Sequence, residues 1–243
     1  MNKLKKPAMI IFDYGHTLVY EDRWDGAKGE KAVLEFALTN KNDLSAEQVS
    51  AFADDLYRNA LSGRNIEFHQ HKFQQFVYEY LQIEIGLNPE EIERLYWDAA
   101  APAHAMPYIK QTLAYLHANG IRTGVISNIS FSGETLKNRI NDVLPDNNFE
   151  FFIASSEYIF RKPSPYIFKL ALVKAGLRAD ETWYCGDSAE FDVEGADSAG
   201  IFPVWYESEI ECWYRERGRI PAPGCEHLHI RDWRELTELI SKI

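Results

Sequence analysis

Acidic, hydroxyl and basic side chains recur at one kind of place in this sequence, the carboxyl end of a short apolar run. Asp13 follows Ala8-Met9-Ile10-Ile11-Phe12, Ser127 and Asn128 follow Thr123-Gly124-Val125-Ile126, and Asp187 follows Trp183-Tyr184-Cys185-Gly186. Lys162 stands in Arg161-Lys162-Pro163-Ser164-Pro165, and Asp192 lies five residues beyond Asp187. A carboxylate can attack phosphorus and so divide one hard displacement into two easier ones. A hydroxyl and a lysine point charge are suited to spreading charge over phosphoryl oxygens. Three aspartates gathered beside a phosphate dianion would repel one another in a dry site. Their chemistry therefore calls for a divalent cation, and hard oxygen donors favour Mg2+. Taken singly, each residue has a plainer reading: a turn cap for Asp13, a helix N-cap for Ser127, a solvated surface charge for Lys162.

The elements that would bring these groups together are patterned by hydrophobicity. Runs of Ile, Val and Phe bounded by charge and Gly read as strands buried on both faces of a parallel sheet. Open α/β sheets take their ligands at the carboxyl ends of such strands. Strands are expected at 8–12, 122–126, 151–153, 182–185, 202–205 and 227–230, alternating with helices. A helix over 108–117 stops at Asn119-Gly120, and a closing helix turns Trp233, Leu236 and Ile240 inward.

Between about Gly26 and Ala103 the pattern turns helical, without convincing strands. Ser45-Ala46-Glu47-Gln48 has the form of a capping box ahead of Val49, Phe52, Ala53 and Leu56. Phe73, Phe76, Val77, Tyr80 and Leu81 make a second inward stripe, and Asn88-Pro89-Glu90-Glu91 starts a third helix. These stripes read as the core of a small bundle. His69 and His71, two apart on a helical stripe, are expected on different faces and so share no metal. The tryptophans read as packing residues, and 208–226 as a long ordered loop with a short helix.

In this order, with a helical insertion behind the first, the motifs resemble those of the haloacid dehalogenase (HAD) superfamily of hydrolases. The resemblance spans nearly the whole chain. Its most specific piece runs from Gly186-Asp187-Ser188 through Asp192-Val193-Glu194-Gly195-Ala196-Asp197-Ser198-Ala199-Gly200. It implies an α/β fold: a doubly wound parallel (Rossmann-like) sheet in residues 1–19 and 104–243, with an all-helical cap inserted at 20–103. It implies Asp13 as the nucleophile that forms an aspartyl-phosphate, with Ser127 and Lys162 on the phosphate. Asp13, Asp187 and the Gly15 carbonyl would hold Mg2+, and Asp192 would act as a further ligand or as a support. Backbone N–H groups around Tyr14 and Gly15, and at the turn after Ser127, would add donors, while Asn128 orients the loop.

One position departs from the pattern. Phosphatases of the family usually carry a second aspartate two residues after the nucleophile, as acid and base, and here that residue is Gly15. General acid–base catalysis is typically worth ~10²–10⁴-fold. The substrate would then have a leaving group that needs little protonation, as in an acyl phosphate or a phosphonate; or His16, Glu21 or Asp22 would supply the proton. A third reading is a protein that binds a phosphorylated ligand or partner as a regulator without turnover. A haloacid dehalogenase would share the aspartate nucleophile but need no metal, and the Gly186-Asp187 pair argues against that branch.

The composition narrows the partners. The 243 residues carry 26 Lys and Arg against 37 Asp and Glu, a formal net charge of -11, which opposes binding to nucleic acid or to an anionic membrane. Behind Lys3-Leu4-Lys5-Lys6 the apolar run is too short for an export signal or a membrane span. Cys185, Cys212 and Cys225 show no CxxC spacing, so a reducing, cytoplasmic setting is expected. The expected partner is a small phosphorylated or phosphonate metabolite.

Overall fold

Strand β1 (Met9–Phe12) alternates between two hydrophobic cores, because successive side chains on a strand point to opposite faces. Ile10 and Phe12 enter one core and Met9 and Ile11 the other, and all four are fully buried. The structure is a computed structural model that describes residues 4–61, 67–213 and 221–243. After β1 come β2 (Val19–Glu21), α1 (Gly26–Leu34), β3 (Ala37–Asn40), α2 (Ala46–Leu56), α3 (Gln70–Leu81), β4 (Ile83–Ile85), α4 (Pro89–Ala100) and β5 (Ala103–Ala105). The alternating half follows: α5 (Ile109–Ala118), β6 (Arg122–Ser127), α6 (Gly133–Val143), β7 (Phe149–Ala154), α7 (Pro165–Ala175) and β8 (Thr182–Gly186). It closes with α8 (Gly195–Ser198), β9 (Phe202–Tyr206), β10 (Leu228–Ile230) and α9 (Trp233–Ile240).

Six strands form one parallel sheet in the order β10-β9-β8-β1-β6-β7. The chain moves outward from β1 through β6 to β7 on one side and through β8 and β9 to β10 on the other. That makes the carboxyl end of β1 the topological switch point, where a crevice forms between diverging connections. Phe12 pairs in register with Val125 of β6 and Cys185 of β8, so Asp13 emerges between the ends of both neighbours. Helices cover both faces. Ile109, Leu116, Trp233 and Leu236 pack with Ile10 and Phe12, while Phe168, Ala171 and Ala196 pack with Met9 and Ile11. The doubly wound architecture is as expected, with Trp233, Leu236 and Ile240 turned inward from α9.

The stretch between β1 and α5 holds α1 to α4, and its two ends pair with each other: β2 lies antiparallel to β5, Val19 opposite Ala105. The capping box at Ser45 and the helix start at Asn88 form as anticipated, and Asn88 proves to close a capping box of its own with Glu91, so both caps have reciprocal side-chain and backbone bonds. Two expectations fail here. The insertion is not all-helical, because β3 and β4 pair as an antiparallel ribbon. Strands of four and three residues are too short to show a period against the helical pattern around them. Phe76 and Tyr80 do not join the inward stripe of α3; they are 49% and 63% exposed, and their rings stack on the outer face. The loop expected over 208–226 includes 214–220, which lie outside the described residues.

Candidate active site

The switch point gathers the strand-end residues into one cavity of about 310 Å³. Its walls include Asp13, Tyr14, Gly15, Ser127, Asn128, Lys162, Asp187 and Asp192. Asp13 and Ser127 are buried at the ends of β1 and β6, and Asp187 directly follows β8. Asp192 sits in a π-turn over Ala189–Glu194, which folds it back so that its Oδ2 accepts the Ser188 backbone N–H at 2.9 Å. The plain reading of Ser127 as a helix cap fails, since α6 is capped by Ser132.

Lys162 is not a surface lysine. It is 2% exposed, and its ammonium donates to Asp13 Oδ1 at 2.6 Å, Asp192 Oδ1 at 2.5 Å and the Tyr184 hydroxyl at 2.8 Å. Burial works against the charged lysine, but Asp13 and Asp192 outweigh it and raise its pKa. Burial likewise pushes Asp13 up to about 6, against the pull of Lys162. A buried ammonium with two carboxylates stays charged and fixes both of them. Asn128 supports this arrangement from behind: its amide donates to the Lys162 carbonyl at 2.9 Å and accepts the Lys162 N–H at 2.7 Å.

Two supports had little signal in the sequence. Tyr184 lies within the buried strand β8, and its hydroxyl also sits 3.2 Å from Asp192 Oδ1. A buried tyrosine must find a partner for its hydroxyl, and that rule alone could have pointed to it. Trp205 on β9 donates its indole N–H to the Asp187 carbonyl at 3.1 Å, bracing the loop that presents this aspartate.

Of the three candidates for a stand-in acid, Glu21 lines the cavity and His16 and Asp22 do not. His16 is buried with a left-handed backbone at φ 52°, and Asp22 pairs with His104 at 3.1 Å. The Glu21 carboxylate accepts the Tyr14 hydroxyl at 2.9 Å and Arg139 Nε at 3.2 Å. Burial raises its pKa, with Arg139 acting in the opposite direction. Arg139 is 4% exposed and also binds Asp98 and the Ala101 carbonyl, so it ties α6 to both α4 and the cavity wall.

Ligand atoms of Asp13, Asp187 and Asp192 all lie within 4.8 Å of one another, a set of hard oxygen donors that fits a divalent cation such as Mg2+. Lys162 offsets part of their charge and leaves a negative surplus. A second group, His69, His71 and Glu93, is equally close, contrary to the expectation that the histidines diverge. The reason is local. His69 is the N-cap of α3 with an extended backbone, its ring accepting the His71 N–H, so helical spacing does not apply to the pair. His71 Nε2 meets Glu93 Oε2 at 3.0 Å. The fully buried Glu93 accepts the Ser132 N–H and hydroxyl and the Thr135 hydroxyl as well, joining α3 and α4 to the start of α6. No helix among the described residues is long and apolar enough to cross a membrane.

The family model of haloacid dehalogenase-like hydrolases matches residues 8–200. Over 231 residues the chain is 25% identical to glyceraldehyde 3-phosphate phosphatase of Pyrococcus furiosus, covering 88% of each. Among solved structures it is similar to a HAD phosphatase from Thermococcus onnurineus, at 20% identity and TM-score 0.61 over 96% of this chain and 97% of that one. It is also similar to a 2-haloacid dehalogenase from Pseudomonas syringae pv. Tomato DC3000, at 21% identity and TM-score 0.60 over 96% and 98%. At these identities the structural likeness speaks for the fold alone. A family model that runs from the first strand to Gly200, over a six-stranded parallel sheet with its motifs at one crevice, means that the chain belongs to the haloacid dehalogenase-like hydrolases.

Proposed function

We propose that this chain is a Mg2+-dependent phosphatase acting on a small phosphorylated, sugar-like metabolite through an aspartyl-phosphate at Asp13. The observation that carries the reading is the convergence of Asp13, Ser127, Lys162, Asp187 and Asp192 on one cavity at the switch point of the sheet. The Pyrococcus furiosus relative, a glyceraldehyde 3-phosphate phosphatase, supports the substrate class. Asp13, Asp187 and the Gly15 carbonyl would hold the cation. Asp192, with one oxygen on Lys162 and the other on the Ser188 N–H, serves to position. When bound, Mg2+ supplies charge neutralisation and polarises a phosphoryl oxygen.

The residues of the chain do the rest. Lys162 fixes Asp13 Oδ1, turning the carboxylate toward the cavity, and shares its charge with the phosphoryl oxygens together with the Ser127 hydroxyl. Asp13 attacks phosphorus, the bond to the leaving oxygen breaks, and Glu21 gives that oxygen its proton in place of the carboxyl absent at Gly15. Water then attacks the aspartyl-phosphate, returning its proton to Glu21 and releasing inorganic phosphate and free Asp13. Residues 20–103 act as the cap, hinged where β2 pairs with β5, and the core is 1–19 and 104–243. Cap closure excludes water and selects the substrate. Asp192 would serve a metal-free dehalogenase as well, by holding Lys162, but the Asp187 carboxylate beside Asp13 would have no cation to bind there and so favours the metal-dependent branch.

The test is Asp13→Asn, assayed with a panel of sugar phosphates, acyl phosphates and phosphonates, with and without Mg2+. Turnover is expected in the wild type only with Mg2+, and to vanish in the variant while its unfolding transition stays cooperative. Unchanged hydrolysis in the variant overturns the mechanism. Wild type that binds phosphate but turns over nothing in the panel would instead mark a phosphate-binding regulator.

A further inference from the structure

Beside the cavity that holds Asp13 lies a larger one of about 500 Å³, and the two meet at shared walls formed by Asn128, Ile129 and Arg161. Aromatic rings dominate the second cavity: Trp213, and six that pack on one another, Trp24, Tyr57, Phe68, Phe73, Tyr96 and Phe131. The six fall into two sets. Trp24 touches Tyr96 and Phe131 at ring separations of 5.6 and 6.2 Å, while Phe68 touches Tyr57 and Phe73 at 5.9 and 5.3 Å. Among the described residues no ring contact joins one set to the other. Contacts within each set are edge-to-face or tilted; Phe131 has one face covered by Trp97, stacked on it at 4.0 Å, so the ring faces left for a flat guest are chiefly those of Trp24, Tyr57, Phe68 and Phe73.

From this pairing of cavities we infer that the substrate is a sugar phosphate whose leaving group carries a flat heteroaromatic ring, that is, a nucleoside 5′-monophosphate. The inference rests on the phosphatase reading above, with the phosphate at Asp13 and the ring between the aromatic walls. Size agrees. A cavity of this volume is in the range that encloses a whole drug-sized ligand, and a bare triose behind the phosphate would leave most of it unfilled. Charge agrees as well. Asp54 and Glu67 are part of the lining and each is met by an arginine, Arg58 at 3.7 Å and Arg161 at 3.6 Å, so a second phosphate or a carboxylate at that end would have to displace a carboxylate already paired with its cation. A neutral base with hydrogen-bonding edges meets Gln70, Asn128 and Ser130 instead. Bases stack on aromatic side chains whatever their sequence identity, because each has a π-face.

A matched pair of substrates isolates the ring. Uridine and adenosine 5′-monophosphate break the same phosphate–primary alcohol bond as ribose 5-phosphate and differ from it only by the base. With Mg2+, kcat/KM for the better nucleotide is expected to exceed that for ribose 5-phosphate by roughly ten- to a hundredfold, the range of one base stacked on aromatic rings. In Phe68→Ala and in Tyr57→Ala this ratio falls toward one. A wild-type ratio near one overturns the inference and leaves the phosphatase reading standing. Calorimetry of the same pair on Asp13→Asn with Mg2+ reads the ratio as dissociation constants, without turnover. A nucleotide preference there, with no hydrolysis by the wild type, keeps the aromatic site and removes the phosphatase reading; no preference in that assay removes the site.

Discussion

Replacing Glu30 with glutamine should abolish a pH-dependent loss of stability that the wild-type chain carries. Glu30 lies on α1 at 2% exposure, and its Oε2 accepts the Tyr78 hydroxyl at 3.0 Å. Burial pushes its pKa from 4.5 up to about 7, with the Tyr78 bond pulling the other way. The folded chain therefore holds this proton more tightly than the unfolded one. The resulting stability is full below the unfolded pKa and is lost as pH climbs through the folded value. The gap between 4.5 and about 7, at ~1.36 kcal/mol for each tenfold change, corresponds to about 3 kcal/mol in all. Most of it, roughly 2–3 kcal/mol, is lost between about pH 5 and about pH 8. Glutamine keeps the shape and can still accept from Tyr78, but it has no proton to lose. Urea unfolding of both proteins at those two pH values gives the answer directly, since other titrating groups cancel in the difference. The variant should gain on the wild type by that amount at the higher pH. Parallel pH dependence in the two proteins would refute the assignment of Glu30 as a buried neutral acid.

Two further outcomes are expected. Glu21→Gln should lower turnover of phosphate monoesters by ~10²-fold or more if it supplies the proton, and adding Gly15→Asp to that variant should restore activity; a double variant no better than the single one places the missing acid elsewhere. Glu93→Ala should cost about 3–5 kcal/mol in denaturant unfolding, because it strips His71 and the first turn of α6 of a buried partner; a loss under about 1 kcal/mol, the value of an exposed pair, would show that this junction carries no weight.

Much of the site was readable from local pattern. Asp13, Ser127 and Asp187 stand out because a buried strand must be apolar, so the first polar residue after it marks where the sheet ends. The order of the motifs and the helical insertion then implied which end of which sheet they share, and the structure puts them there. The helix caps at Ser45 and Asn88 were equally legible, since they are satisfied within four residues.

What lay beyond the sequence is whatever depends on partners distant along the chain. Lys162 meets Asp13 across 149 positions and Arg139 meets Tyr14 across 125, and no spacing rule reaches that far. Tyr184 and Trp205 look like core residues until the fold aims their polar atoms at Asp192 and Asp187. His69 and His71 were misread because one residue of extended backbone before α3 replaces the helical angle between them. The ribbon of β3 and β4 and the outward faces of Phe76 and Tyr80 were settled only by what packs alongside. Short-range pattern therefore determined the strands of the main sheet and the acids at their ends, through hydrophobicity, and the helix caps, through polar side chains that reach their own first turn. Tertiary packing alone decided which charges pair and what lines the neighbouring cavity, because electrostatic and ring contacts act through space and leave no period in the chain.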